Sequence, residues 1–279
     1  MTDTPAIWVD GRPSAALPLP DRGLQFGDGL FETLLLRDGR PLFEALHLER
    51  LTRGLAALDF PPCGGESAAH ISSACAAIAA RGWKWASLRL TVTRGGGPRG
   101  YAPPADPAPR FIVSANPLPR DGATMLPAAS VATSEIRWSA QPRLAGIKHL
   151  NRLDQVLAAA EAVRRGVDEV LMLDQAGRPL SMSAGNLFAV FGDRIVTPPL
   201  SDCGIAGTRR RLVMEQWAPA IGLAVEESHL SMAQLQRSDE LFFSNSLVAL
   251  RPVGSLEGRP LRANDVCLAL FDRYREAIG

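Results

Sequence analysis

The chain has 279 residues, with 30 basic and 29 acidic side chains for a formal charge of +1 and a composition 46% hydrophobic and 21% charged. That length suits two modest domains or one large one, and so balanced a charge gives nucleic acid or an anionic membrane no electrostatic hold on the surface. No apolar run approaches the roughly 20 residues of a membrane span, "MTDTPAIWVDGRP" lacks a basic-then-apolar leader pattern, and Cys63, Cys75, Cys203 and Cys267 stand too far apart for a zinc or disulfide framework, so a cytoplasmic protein without a metal site is expected.

"AIWVDG" opens the pattern as a short strand closed by Asp-Gly. "LFETLLLRDGRPLFE" then gives two apolar runs around "RDGRP", a predicted hairpin. In "ALHLERLTRGLAALDF" the positions Leu48, Leu51 and Leu55 recur at helical spacing. "ESAAHISSACAAIAARG" predicts a second helix ending at Gly82, and "WASLRLTVTRGG" and "FIVSANPL" predict strands. The Pro/Asp/Gly stretch that follows is the expected domain boundary, giving an N-terminal α/β domain over 1–117 and a C-terminal one over 118–279. "NRLDQVLAAAEAVRRG" predicts a helix with Leu153, Val156, Leu157 and Ala160 on one face, Arg164 and Arg165 in the last turn and Gly166 as the stop. "DEVLMLDQAGRPLSMSAGNLFAVFGDRIVTPP" predicts three or four strands. "TRRRLVMEQWAPAIG" predicts a helix, "ELFFSNSLVALRPV" strand and loop, and "RANDVCLALFDRYREAIG" a terminal helix. Strands and helices intermix in both halves, so the expected class is α/β with mixed sheets in two domains.

Only two of the 30 basic residues are lysines, Lys84 and Lys148. Arginine stays protonated in proteins, whereas a lysine amine can lose its proton and condense with a carbonyl. Lys84, in "RGWKWASLRL", reads as a strand edge or loop. Lys148, in "LAGIKHLNRLDQ", ends an extended segment three residues before the helix that "NRLDQVL" begins, a place that can hold a side chain rigidly.

The segments "DRGLQFGDGLFET" (21–33), "HLERL" (47–51), "RGGGPRGYAP" (94–103), "IKHLNRLDQVLA" (147–158), "GNLF" (185–188) and "GIAGTRR" (204–210) run in order over almost the whole chain. In that order they resemble the fold-type IV pyridoxal-phosphate enzymes, the class of branched-chain and D-amino-acid aminotransferases. "KHLNRLDQ" with "PRGYAP" is most similar to the 4-amino-4-deoxychorismate lyase branch of that class. The resemblance implies a two-domain fold of the D-amino-acid-aminotransferase kind, pyridoxal 5′-phosphate as cofactor, a small-molecule substrate and a homodimer. It implies a lyase that makes 4-aminobenzoate and pyruvate for folate synthesis. An aminotransferase, or a cofactor-binding homologue with impaired catalysis, is the alternative.

Residue by residue, the resemblance makes Lys148 the amine that joins the cofactor covalently and then moves the substrate's Cα proton. It assigns Arg50 to the cofactor phosphate, a bidentate task that suits a guanidinium. The backbone N–H groups of Thr208 and Arg209, at a glycine-then-helix turn, would cradle the same phosphate, with the Ser246 hydroxyl beside them. Asn186 marks the "NLF" segment and is counted with the cofactor site. "GGGPRG" lacks the Lys-Ser/Thr ending of a phosphate loop and reads instead as a loop over the substrate, with Arg94, Arg99 and Tyr101 as candidates to meet its carboxylates. Asn151 could reach the cofactor's phenolic oxygen, but capping the following helix is its expected role. His149, next along an extended segment, should point away from Lys148.

One position departs from the pattern. Five residues before the asparagine of "NLF" these enzymes carry a glutamate that pairs with the pyridine nitrogen, and here the count lands on Ser181. A carboxylate there keeps the nitrogen protonated and the ring a strong electron sink. A serine supplies no counter-charge, so an unprotonated nitrogen and a weaker sink are expected. Transamination depends on that sink more than a lyase whose product gains an aromatic ring.

Overall fold

The computed structural model describes residues 6–14, 16–261 and 263–279. The first five residues of the N-terminal stretch, and Arg262 at the head of the expected last helix, lie outside the described residues. The chain divides into two compact units, one of residues 1–122 with 147–151 and one of residues 123–146 with 152–279.

In the first unit a mixed-length antiparallel sheet runs β2 (Arg12–Pro13), β1 (Ala6–Val9), β6 (Arg110–Pro117), β5 (Trp85–Thr93), β3 (Gly29–Arg37) and β4 (Arg40–Pro41). The β3–β4 hairpin turns on Asp38 and Gly39, both at positive φ (49° and 74°). Two left-handed residues in a two-residue loop match the right-handed twist of the strands, and Asp-Gly tolerates them best. The short helix α1 (Arg22–Phe26) is capped by Asp21, whose carboxylate accepts from Leu24 N at 3.2 Å.

Helices α2 (Glu44–Ala57) and α3 (Gly64–Ala79) pack against this sheet. The buried stripe of α2 is His47, Arg50, Leu51, Gly54 and Leu55, spaced i, i+3, i+4, i+7, i+8. Leu51 and Leu55 are buried as expected, Leu48 is only half-buried, and the stripe carries two polar residues, His47 and Arg50, into the interior. Gly54 lets the helix lie close: a Cβ there would stand 2.9 Å from a Leu30 methyl.

The segment 147–151, expected in the second domain, belongs with this first unit because its backbone pairs with β3. Phe31 N donates to Lys148 O at 2.9 Å and Leu150 N to Gly29 O at 3.0 Å.

In the second unit the main path of the sheet runs β12 (Ala224–Glu227), β11 (Arg194–Thr197), β10 (Gly185–Phe191), β13 (Glu240–Asn245), β14 (Ala249–Leu256), β7 (Ala129–Arg137), β8 (Glu169–Leu173) and β9 (Pro179–Met182). β15 (Arg259–Pro260) adds to β14, and β9 also pairs with β10. The pairs β14–β7, β7–β8 and β11–β12 are parallel and the rest antiparallel, so the mixed-sheet class holds.

Helix α4 (Leu153–Arg165) lies on β7 and β8 and ends at Gly166 in the left-handed region, as its sequence indicates. Its buried positions are Ala158, Glu161 and Ala162, while Leu153, Val156 and Leu157 are 75%, 57% and 53% exposed. The expected helix from Thr208 is interrupted: α5 (Thr208–Leu212) widens into a π-turn over Val213–Trp217 before α6 (Ala218–Ala220). Pro219 has no N–H for the preceding turn, which fits the widening. Helices α7 (Met232–Leu235) and α8 (Asp265–Ile278) complete the unit.

Candidate active site

Lys148 stands opposite Phe31 on the edge of β3, with its Nζ 4.2 Å from the Phe31 ring centroid. The Arg89 guanidinium takes the same ring at 3.8 Å. His149 bridges Leu30, the neighbouring position of β3, so it faces away from Lys148 as expected of adjacent residues on an extended segment.

Glu32, next on β3, points to the other face, where α2 brings His47 and Arg50. Its carboxylate accepts from Arg50 Nε at 2.8 Å and Nη2 at 2.5 Å, and meets His47 Nδ1 at 2.7 Å. Glu32 is 1%, His47 0% and Arg50 4% exposed. Burial alone would raise the Glu32 carboxyl, but the Arg50 charge and the hydrogen bonds from Arg50 and His47 outweigh it and bring it down to about 2. Arg50 is therefore held by a side-on, two-point ion pair rather than waving in solvent. Successive residues of one strand thus position the lysine and the arginine. Neither Glu32 nor His47 was singled out from sequence. The signal was there, since Glu32 is the one acid in the apolar run "GLFETLLL" and His47 precedes Arg50 by three.

The glycine-rich loop is anchored by arginines, and here two expectations change. Arg94, a candidate for substrate carboxylates, is 5% exposed with its donors on protein acceptors. Nε meets both Asp28 oxygens (3.1 and 2.9 Å), Nη1 meets Asp59 O and Nη2 meets Leu58 O, and the group lies 4.1 Å from the Phe60 ring centroid. It is an anchor at the root of the loop. Arg22, which was not singled out, is 3% exposed and binds Asp28 through Nε, Gly100 O through Nη1 and Tyr101 O through Nη2. Burial pushes the Asp28 carboxyl up, and hydrogen bonds from Arg94 and Arg22 more than reverse that, leaving it below its ordinary range. Arg22 thereby fixes the stretch that carries Arg99 and Tyr101, both exposed, with the Tyr101 ring 5.4 Å from Phe26. Asn151 does not cap α4. The cap position falls on Arg152, and the Asn151 amide donates to Gly27 O at 3.3 Å.

The second unit gathers the remaining residues. Ser181 on β9 pairs with Asn186 on β10, and Asn186 pairs with Ser244 on β13, so the three share one face of the sheet. Ser181 is 3%, Asn186 8% and Ser244 1% exposed. Asn186 Nδ2 donates to Ile205 O at 2.8 Å, tying the loop before α5 to the sheet. A Cβ on Gly207 would stand 2.0 Å from Asn186 Oδ1, so glycine is required there for space, its φ being an ordinary −65°. Thr208 and Arg209 follow as the first turn of α5, where amide N–H groups have no intrahelical acceptor. The Arg209 side chain is 1% exposed and donates to Thr208 Oγ1 and Ser246 O, each at 3.3 Å, which brings Ser246 to this turn through its backbone.

The Ser181 hydroxyl both accepts and donates within the chain. Trp138 Nε1 donates to its Oγ at 2.8 Å, and the hydroxyl donates to Met182 O at 2.9 Å. Trp138, 6% exposed, carries the Arg152 guanidinium 5.6 Å from its ring centroid. Burial draws the Arg152 guanidinium down to about 10 despite the counteracting charge of Asp154.

Residues 29–256 match the amino-transferase class IV family. The chain belongs to that family. The family's enzymes depend on pyridoxal 5′-phosphate. The chain is 39% identical to a solved 4-amino-4-deoxychorismate lyase from Pseudomonas aeruginosa, covering 97% of this chain and 98% of that one with a TM-score of 0.86. It is 31% identical to an aminodeoxychorismate lyase of Vibrio harveyi over 90% of this chain and 91% of the relative. It is also 28% identical to a D-alanine aminotransferase of Listeria monocytogenes, over 88% and 84%.

The residues present fit the family's cofactor. Ser244 Oγ, buried on the same sheet face as Ser181 and Asn186, has no hydrogen-bond partner among the described residues. Gly207 brings a helix start against Asn186 with no room for a side chain. Those are features of a face built to meet a polar group not supplied by the chain. Among the described residues no cluster of His, Cys, Asp and Glu could hold a metal ion, no helix is long and apolar enough to cross a membrane, and all four cysteines are buried free thiols.

Proposed function

We propose that this protein is a lyase converting 4-amino-4-deoxychorismate to 4-aminobenzoate and pyruvate, with pyridoxal 5′-phosphate held by Lys148, Arg50, Asn186, Thr208, Arg209, Ser181 and Ser246. The observation that carries this reading is the 39% identity to the Pseudomonas aeruginosa lyase over nearly the full length of both chains. The hydroxyl at Ser181, where the resembled class as a whole carries a carboxylate, weighs against an aminotransferase more than against the lyase.

When bound, the cofactor supplies an electron-withdrawing ring that acidifies the C–H beside the substrate amine. Lys148 takes that proton, and the Phe31–Lys148 backbone pairing limits where its amine can reach. Loss of the enolpyruvyl group from the neighbouring carbon then completes the aromatic ring. Aromatisation supplies driving force that the cofactor need not provide, so a neutral serine suffices at 181. Arg50, braced by Glu32 and His47, and the first-turn amides of α5 take the phosphate. With Arg94 committed to Asp28, Arg99 and Tyr101 on the anchored loop are the groups left to meet substrate carboxylates.

The protein acts in the cytoplasm as a homodimer on this reading. The exposed face of Leu153, Val156 and Leu157, three apolar side chains at helical spacing, supports a covering second copy.

Purified protein loaded with the cofactor and mixed with 4-amino-4-deoxychorismate should release fluorescent 4-aminobenzoate, and Lys148→Ala should not. Steady turnover of D-alanine or a branched-chain amino acid with a keto acid, and no 4-aminobenzoate, would replace this reading with the aminotransferase one.

A further inference from the structure

Residues 95–101 read "GGGPRGY", and a stretch so rich in glycine has more backbone freedom to lose on ordering than any other composition. One side chain outside the stretch holds it at both ends. Arg22 N donates to Gly95 O at 2.8 Å, just past the end of β5. The Arg22 stem then passes Gly97 so closely that a Cβ there would stand 3.0 Å from Arg22 Cδ. Its guanidinium takes the far end, Nη1 donating to Gly100 O at 3.1 Å and Nη2 to Tyr101 O at 2.7 Å. The Phe26 ring fills the corner, 4.9 Å from the Arg22 guanidinium carbon and 5.4 Å from the Tyr101 ring.

Arg22 is itself fixed to the body of its unit. Its Nε donates to Asp28 Oδ2 at 2.8 Å, and Arg94 Nε holds the same oxygen at 2.9 Å. Arg94 in turn grips Leu58 O and Asp59 O, just beyond the end of α2. Behind Arg22, the buried Asp21 caps α1 and accepts from Thr93 Oγ1 on β5 and from Arg110 Nη1, each at 2.8 Å. Arg22 is 3% exposed, whereas Tyr101 is 85% exposed and Arg99 is also open to solvent. The buried arginine grips the backbone of the stretch and leaves the two side chains outside.

We infer that Arg22 is a positioning residue for substrate recognition: by holding the Gly100 and Tyr101 carbonyls it keeps Arg99 and Tyr101 set for a substrate carboxylate, and the affinity for that substrate depends on the hold. This rests on the reading given under Proposed function, which leaves Arg99 and Tyr101 as the groups to meet the substrate. A binding group that is in place for only a fraction of the time loses affinity by that fraction. Lysine at 22 would keep a charge for Asp28, but it lacks the planar fork that spans a carboxylate and two successive carbonyls.

The test compares wild type with Arg22→Lys and Arg22→Met, each loaded with pyridoxal 5′-phosphate. With 4-amino-4-deoxychorismate the KM should rise roughly tenfold in both variants, the worth of one charge-assisted hydrogen bond. The kcat and the affinity for the cofactor, read by absorption titration, should stay near wild type. Limited trypsin digestion should nick the Arg99–Gly100 bond roughly tenfold faster, since cleavage follows the population of the released loop. Arg22→Lys carries the test if Arg22→Met does not fold. An unchanged KM with unchanged nicking, or a fall in kcat and cofactor affinity as large as the rise in KM, overturns the inference and leaves the lyase reading standing. A wild type that makes no 4-aminobenzoate but turns over an amino acid with a keto acid overturns the lyase reading, and the inference is then judged on the KM of that amino acid. Turnover of neither overturns both.

Discussion

Glutamine at position 32 should be among the most damaging isosteric changes in this protein. Glu32 is buried against Arg50 and His47, and its carboxyl falls from an ordinary 4.5 to about 2. At about 1.4 kcal/mol per pH unit, a fall of that size corresponds to about 3 kcal/mol of folding stability. Independently, removing one partner of a buried ion pair typically costs about 3–5 kcal/mol because the other charge is left uncompensated. The two figures agree, so Glu32→Gln should lose about 3 kcal/mol at neutral pH. Because the folded-state value is the lower one, this stabilisation is complete above about pH 4.5, where the unfolded chain also ionises, and is lost as the pH falls toward 2. Urea unfolding of both proteins at a series of pH values would show a gap that is constant from about pH 7 to 5 and narrows below. A gap under about 1 kcal/mol at neutral pH, or one that does not narrow in acid, would refute the argument that Glu32 is the charge that braces Arg50.

Three further outcomes follow from the geometry. Gly207→Ala puts a methyl 2.0 Å from Asn186 Oδ1, so it should cost about 1–3 kcal/mol in thermal unfolding and weaken cofactor binding by titration. Ser181→Glu should move the cofactor's absorption and raise half-transamination with alanine or glutamate, and if neither changes the assignment of position 181 is wrong. Leu157→Glu on the exposed face of α4 should shift sedimentation from dimer to monomer while leaving the monomer folded, since the side chain is 53% exposed within the chain.

Much of this architecture is legible in the sequence because local chemistry and tertiary demand coincide. Asp38-Gly39 is a turn by its own conformational preference, and α4 stops at Gly166 because the left-handed position there suits glycine. The six ordered segments led to the class IV family, and the lysine anomaly pointed to Lys148 within it. What the sequence hid depends on contacts between residues far apart in it. Arg94 looks like a loop cation, yet Asp28, Leu58 and Asp59, 35 to 66 positions earlier, take its donors. Arg22 is tied to Gly100 and Tyr101 across 78 and 79 positions, and Trp138 reaches Ser181 across 43. The apolar face of α4 is legible by periodicity, but the residues that the helix buries are Ala158, Glu161 and Ala162. Periodicity reports that a face is apolar without saying whether this chain or another covers it. Likewise 147–151 sits beside the second unit in sequence but pairs with β3, a choice made by edge hydrogen bonds rather than by composition.

The most direct test of the whole account is to load the protein with pyridoxal 5′-phosphate, reduce it with borohydride, and locate the label by peptide mass spectrometry. The pyridoxyl group should be found on Lys148 and not on Lys84, the other lysine of the chain. A label on Lys84 alone, or a preparation that takes up no cofactor and carries no label, would contradict it.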